Sequence, residues 1–168
     1  YFTYLGVCVC SRLSFNEHVT HSIRKASATL YMLMRALKVA SVSAKRMAYF
    51  SVCLPLLEYA SEVWNPHLKY LIKDLETINR KAFRWTYRLK KYDSITSEME
   101  KMNWPSLEHR RTVKDCRTLD KIITENLMVD YKQFTQRNTA HFTRNGNIRH
   151  TINTEAMKHS FFNRAINF

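Results

Sequence analysis

A mainly α-helical fold, with a short β-strand or hairpin at its start and an irregular C-terminal extension, follows from three observations. Glycine is 2 and proline 3 of 168 residues, against roughly 7% and 5% in average proteins, which disfavours turn-rich sandwiches and barrels. Apolar residues recur in steps of three and four over long stretches, the period of an amphipathic helix. They make up 45% of the chain, with aromatics at 12%. That is enough to bury a core and too much for disorder over most of the length.

The elements follow in order. Tyr1 to Cys10 is rich in β-formers, and Leu5, Val7 and Val9 alternate with Tyr4, Gly6 and Cys8, as in a strand. A first helix is predicted from about Phe15 to Lys38. Phe15, Val19, Ile23, Ala26, Leu30, Leu33 or Met34, and Leu37 face inward, with Ser14 as N-cap and Glu17 as its capping-box partner. A second helix starts near Ser43 and is apolar nearly all round, which predicts burial. Pro55 should kink it, and Trp64-Asn65-Pro66 ends it. The cleanest periodicity is in a third helix from about His67 to Leu89, where Leu68, Leu71, Leu75, Ile78, Ala82 and Trp85 step by three and four. A shorter helix is predicted over Ile95–Met102 after Ser94. Trp104-Pro105-Ser106 then stops and restarts the chain into a helix over Leu107–Asn126, with Leu107, Val113, Cys116, Leu119, Ile123 and Leu127 inward. Periodicity is lost beyond residue 128. The predicted segments are therefore 1–13, 14–92, 93–127 and 128–168.

Lys plus Arg is 27 against 14 Asp plus Glu, a formal net charge of +13. The excess is spread over both halves, so it belongs to folded surfaces rather than a tail. It favours a polyanionic partner, nucleic acid before an anionic membrane. Cys8 and Cys10 are too close for a disulfide framework and lack the CxxC spacing of a zinc site. A reducing, intracellular setting is expected, nucleus or cytoplasm. No apolar run reaches 18 residues, so no membrane span is expected. The opening inside an apolar run, without Met, reads as a piece of something longer.

Two scattered glycines, Gly6 and Gly146, build neither a P-loop nor a dinucleotide fingerprint. Nucleotidyl transfer by two metals needs clustered carboxylates, and Asp74, Asp93, Asp115, Asp120 and Asp130 are dispersed. Asp115 and Asp120 read as solvated helix surface, and His18 and His21, three apart, as a polar helix face more than a metal pair. Trp64 and Trp104, at helix breaks, read as corner anchors. The best positive signal is basic. Lys73, Arg80, Lys81, Arg84 and Arg88 place cations along the third helix, Arg80, Arg84 and Arg88 one turn apart. Phosphates require such charge repeated along a rigid support. Trp85, Tyr87 and Tyr92 lie beside it, Trp85 more as core than as a base-stacking ring. Arg110, Arg111, Lys114 and Arg117 form a weaker second cluster, partly neutralised by Glu108, Asp115 and Asp120.

Three segments carry a resemblance. Tyr4-Leu5-Gly6-Val7 leads through Leu13-Ser14-Phe15 to His18-Val19. The run Leu54-Pro55-Leu56-Leu57-Glu58-Tyr59-Ala60-Ser61-Glu62-Val63-Trp64-Asn65-Pro66-His67 follows. Asn103-Trp104-Pro105-Ser106-Leu107-Glu108-His109-Arg110-Arg111 is the third, and Ser160-Phe161-Phe162-Asn163-Arg164 closes the series. The series resembles the C-terminal part of reverse transcriptases from non-LTR (LINE-type, jockey-like) retrotransposons. It departs from them at Cys10, where an acidic or turn-forming residue is usual, and at Asn163, where Pro is common. The resemblance implies that Tyr4, Leu5, Gly6 and Val7 are the primer-grip strand at the end of the palm. It implies that the following helices form a thumb-like bundle holding the primer–template duplex. It also implies that the parent is an RNA-directed DNA polymerase using Mg2+ at catalytic aspartates upstream of Tyr1. This stretch would then hold no cofactor and catalyse nothing alone. Its partners would be an RNA–DNA hybrid or duplex, bound through its backbone, and the palm and fingers of the parent chain.

A rival expectation is a helical interaction protein without nucleic-acid binding. It predicts a basic stripe paired internally or covered by a partner, and an exposed face on the apolar second helix.

Overall fold

The structure, a computed structural model, describes residues 2–90, 94–124, 161 and 164. The predicted irregular extension over 128–168 lies outside them, apart from Phe161 and Arg164, as do Tyr92 and Leu127. Residues Tyr1–Arg110 form one compact unit and Arg111–Phe168 a second. The chain is mainly helical behind a two-stranded hairpin, as the composition and periodicity predict.

The hairpin pairs β1 (Phe2–Tyr4) antiparallel with β2 (Val7–Val9), Tyr4 opposite Val7. The alternation read as one strand is interrupted by a reversal at Leu5-Gly6. Both residues have positive φ, 46° and 80°, the backbone of a two-residue turn whose twist suits paired strands. Val7 is buried; Phe2, Tyr4 and Leu5 are exposed.

Helix α1 (Asn16–Ala36) buries His18, Val19, Ser22, Ala26, Leu30 and Leu33. The expected capping box is not formed. Phe15 is the capping residue, and the Ser14 hydroxyl accepts from Asn16 N–H instead. Helix α2 (Val42–Ala48) is capped by Ser41, two residues before the predicted Ser43, through Ala44 N–H at 3.2 Å. The predicted second helix is not one rod. A π-helical turn over Tyr49–Cys53 separates α2 from α3 (Leu54–Glu58), and α4 (Ser61–Trp64) follows. Pro55 explains the interruption. It has no N–H and its ring excludes the carbonyl one turn back, so the chain widens ahead of it. The widened turn brings Tyr49, Cys53, Leu54 and Leu57 to the core and leaves Met47, Val52, Tyr59 and Val63 exposed. The expectation of an all-round buried helix is thereby corrected.

Helix α5 (Lys69–Tyr87) packs along α1. It buries Leu71, Leu75, Ile78, Asn79, Ala82, Phe83 and Thr86. A fully buried Leu, Ile or Phe contributes roughly 1.5–3 kcal/mol, so this face fixes the helix firmly. The chain then forms α6 (Thr96–Lys101) and α7 (Leu107–Thr124). Ser94 does not cap α6; Ile95 occupies that place without a side-chain bond. Ser106 does cap α7, accepting from His109 N–H at 3.2 Å.

Along α7 the buried positions are Leu107, Arg111, Asp115 and Ile122, while Cys116 is exposed and Val113 and Leu119 are half-buried. The inward line drawn from apolar residues is corrected on this point. A charged line at the same helical spacing is invisible to a count of apolar residues. Asp115 is not solvated surface: it is fully buried and accepts from Arg164 Nε at 3.2 Å. Asp120 is exposed.

Candidate nucleic-acid interface

The first two segments that carry the resemblance, and the third as far as Arg110, lie within the first unit, and their residues hold one another. Tyr59 donates its hydroxyl to Leu5 O at 2.7 Å. A Cβ on Gly6 would stand 3.5 Å from the Tyr59 ring, so the ring lies along the Leu5-Gly6 turn. Tyr59 ends α3, and Ala60 after it is left-handed at φ 51°. This bend lets Trp64 Nε1 donate to Tyr59 O at 2.6 Å. The Trp64 ring meets His18 edge-on at 5.6 Å, and His18 Nδ1 accepts from Cys8 N–H at 3.3 Å. His18 is therefore a buried acceptor that ties β2 to α1. Burial, with the nearby His21, holds its pKa below the ordinary value.

The third segment is held as tightly. Trp104 is 3% exposed and caged by Tyr49, Phe50, Phe83 and Tyr87 at centroid distances of 5.1, 4.9, 5.3 and 6.2 Å. Its Nε1 donates to Asn79 Oδ1 at 2.7 Å, which also accepts from the Tyr49 hydroxyl at 3.0 Å. Asn79 Nδ2 donates to Glu76 Oε1 and to Pro105 O. The other Glu76 oxygen accepts from Leu107 N–H at 2.9 Å, a carboxylate at a helix N-terminus. Arg110 grips Glu58 with two bonds, from Nε and from Nη2, and this pairing raises its pKa. Both tryptophans are corner anchors, as their positions predict.

Several cations are consumed by this framework. Arg46 donates to the Tyr87 hydroxyl, Met102 O and Asn103 O, and lies over the Phe50 and Trp104 rings. Lys45 is 2% exposed, its Nζ 5.6 Å from the half-buried Trp85 ring. The second basic cluster is not an open surface: Arg110 is paired, Arg111 buried and Lys114 half-buried, leaving Arg117 exposed.

The predicted stripe on α5 divides. Lys73 and Arg80 are exposed and project on the side away from the buried face, at about 100° per residue around the axis. Lys69, one turn before Lys73 and also exposed, extends the row. The sequence puts Lys69 on the polar faces of this helix, but the predicted phosphate-binding set leaves it out. Arg84 lies on the same line but is half-buried, with its Nε enclosed. Arg88 is exposed but has left the helix; it is the left-handed C-cap at φ 56°. Lys81 turns aside to α1, donating to the Tyr31 hydroxyl with its Nζ 3.9 Å from the ring centroid. Lys69, Lys73 and Arg80 border an open groove of about 380 Å3, completed by Ile72, Glu76, Thr77 and Glu108. Of the four predicted primer-grip residues, Tyr4 ends β1, Leu5 and Gly6 form the turn and Val7 opens β2.

Among the described residues no three His, Cys, Asp or Glu side chains gather as a metal site, and no helix is long and apolar enough to cross a membrane.

No family model matches the chain, and no solved structure matches it. It is similar to an uncharacterized protein of Caenorhabditis elegans, B0403.1, with 29% identity over 122 residues. That alignment takes in 71% of this chain and 62% of the relative, so the chain spans under two thirds of the relative's length.

Proposed function

We propose that this chain is the primer-grip and thumb region of a non-LTR retrotransposon reverse transcriptase, and that it holds a primer–template duplex by its phosphates. One observation carries the reading. α5 presents an exposed row, Lys69, Lys73 and Arg80, on the side away from its buried face. A row of cations on a firmly packed helix meets regularly spaced phosphates without ordering long loops, and each phosphate neutralised releases counterions. Arg84, half-buried, lies at the far end of the row, and Arg88 caps the helix beyond it. Contacts of this kind position a duplex and read no sequence. Polymerisation itself, with its Mg2+ and aspartates, belongs to the palm of the parent polymerase. The role here is positioning, and the Leu5-Gly6 turn, pinned by Tyr59, offers backbone at a fixed place for the primer end.

A second reading has its own support. Met47, Val52, Tyr59 and Val63 are 68, 45, 56 and 53% exposed, the apolar face that a helical interaction protein predicts. That face lies on α2 to α4, away from the α5 row in sequence, and a parent palm is an occupant compatible with both readings.

The test is anisotropy of a labelled RNA–DNA hybrid with the chain. Lys73→Gln with Arg80→Gln is expected to weaken binding at least tenfold at low salt, on every hybrid sequence alike. Arg24→Gln with Lys25→Gln, on exposed α1 positions, removes the same charge elsewhere and is expected to cost much less. Equal losses from both pairs would point to diffuse attraction and against the α5 row.

A further inference from the structure

Beside the α5 row, α1 carries a surface of another composition. Tyr31 is 52% exposed. One of its sides is taken by Lys81 of α5, whose Nζ stands 3.9 Å from the ring centroid and donates to the hydroxyl. Ala28, Met34, Arg35 and Lys38 complete an open groove of about 680 Å3 around the ring. Among the described residues no carboxylate lines that groove. Arg35 and Lys38 follow Tyr31 at one and two turns, both exposed.

We propose that this groove is a binding site for single-stranded nucleic acid. The inference rests on reading the chain as a nucleic-acid binder, but it concerns a different strand and a different helix face. The open side of Tyr31, flanked by Met34, takes the flat face of an unpaired base. Arg35, Lys38 and Lys81 take the phosphates on either side of it. Lys81 also fixes the ring in place, so stacking costs little further ordering. Aromatic rings accept every base, because each has a π-face, and cations flanking the ring follow the backbone. An acidic helix is the other polyanion of suitable charge. It would need apolar anchors spaced over two turns, and the groove supplies one ring and one methionine.

The experiment uses the full chain and two labelled probes, a 12-nucleotide homopolymer single strand and a blunt RNA–DNA hybrid. Tyr31→Ala is expected to weaken single-strand binding roughly tenfold, with Tyr31→Phe near wild type and hybrid binding unchanged. Lys73→Gln with Arg80→Gln is expected to do the reverse. Circular dichroism of each variant checks that it is folded. Single-strand affinity unmoved by Tyr31→Ala in a folded chain would overturn the proposal. Polyglutamate displacing the single strand as effectively as nucleic acid does would overturn it in favour of an acidic-peptide face. Binding of the single strand without the hybrid would sink the thumb reading while leaving this site standing.

Discussion

Ala60 sits in the left-handed region at φ 51°, where a side chain is strained and glycine is not. The strain is kept because the bend brings Tyr59 O to Trp64 Nε1 and the Tyr59 hydroxyl to Leu5 O. Ala60→Gly is therefore expected to stabilise the first unit by about 1 kcal/mol, seen as a rise of a few degrees in the thermal midpoint. His18 makes a second residue-scale prediction. Its Nδ1 accepts a backbone N–H and its ring is buried against Trp64, so the fold favours the neutral imidazole. The unfolded chain takes the proton more readily. The contribution is thus complete above about pH 6.5, the ordinary histidine value, and is lost as pH falls below it. Chemical unfolding from pH 8 to pH 5 is expected to show that loss, and His18→Gln, which retains an acceptor, is expected to flatten it. Among the thiols, burial pushes Cys53 up to about 12, while Ser14 N–H holds Cys10 low.

At the scale of elements, α5 carries the design. Its buried side includes Asn79, whose oxygen takes two donors and whose nitrogen gives two bonds. A buried amide with every bond made is stabilising, and its removal strands each partner. Asn79→Ala is expected to cost on the order of 3 kcal/mol and to lower the urea midpoint accordingly. Asn79→Asp, which keeps the acceptor and loses both donors, is expected to fall short of rescue. α5 and α1 were legible in the sequence because their apolar residues alone describe a stripe. The hairpin was half legible, since strand alternation continues across Leu5-Gly6 without registering a turn whose first residue is leucine. The π turn was not legible: Pro55 announced a disturbance but not that Tyr49 and Cys53 would turn inward. The buried Arg111 and Asp115 were not legible either, because charged residues are assigned to solvent until a partner is seen. The candidate interface divides the same way. Lys73 and Arg80 follow from helical projection. Lys81 does not, because Tyr31 comes from another helix, and neither does Arg88, because it caps the helix instead of continuing it.

At the scale of the molecule, the net charge of +13 is used in two ways. Arg46, Lys45 and Arg110 hold aromatic rings, carbonyls and a glutamate inside the first unit, where they serve the fold. Lys69, Lys73 and Arg80 face outward on a fixed helix. Two of the segments that carry the resemblance, from Leu54 to His67 and from Asn103 to Arg110, supply the framework: Tyr59, Trp64, Trp104 and the Glu58–Arg110 pair. The cations proposed to meet phosphate lie between those segments, on the helix the framework holds. The measurement that bears most directly on this division is the affinity of the chain for an RNA–DNA hybrid from 50 to 300 mM salt, alongside the Lys73→Gln, Arg80→Gln variant. A steep linear fall of log affinity with log salt is predicted, its slope reduced by about 2 in the variant, close to one for each phosphate contact removed. Affinity that barely changes with salt, or a slope the variant leaves untouched, would contradict phosphate binding by α5.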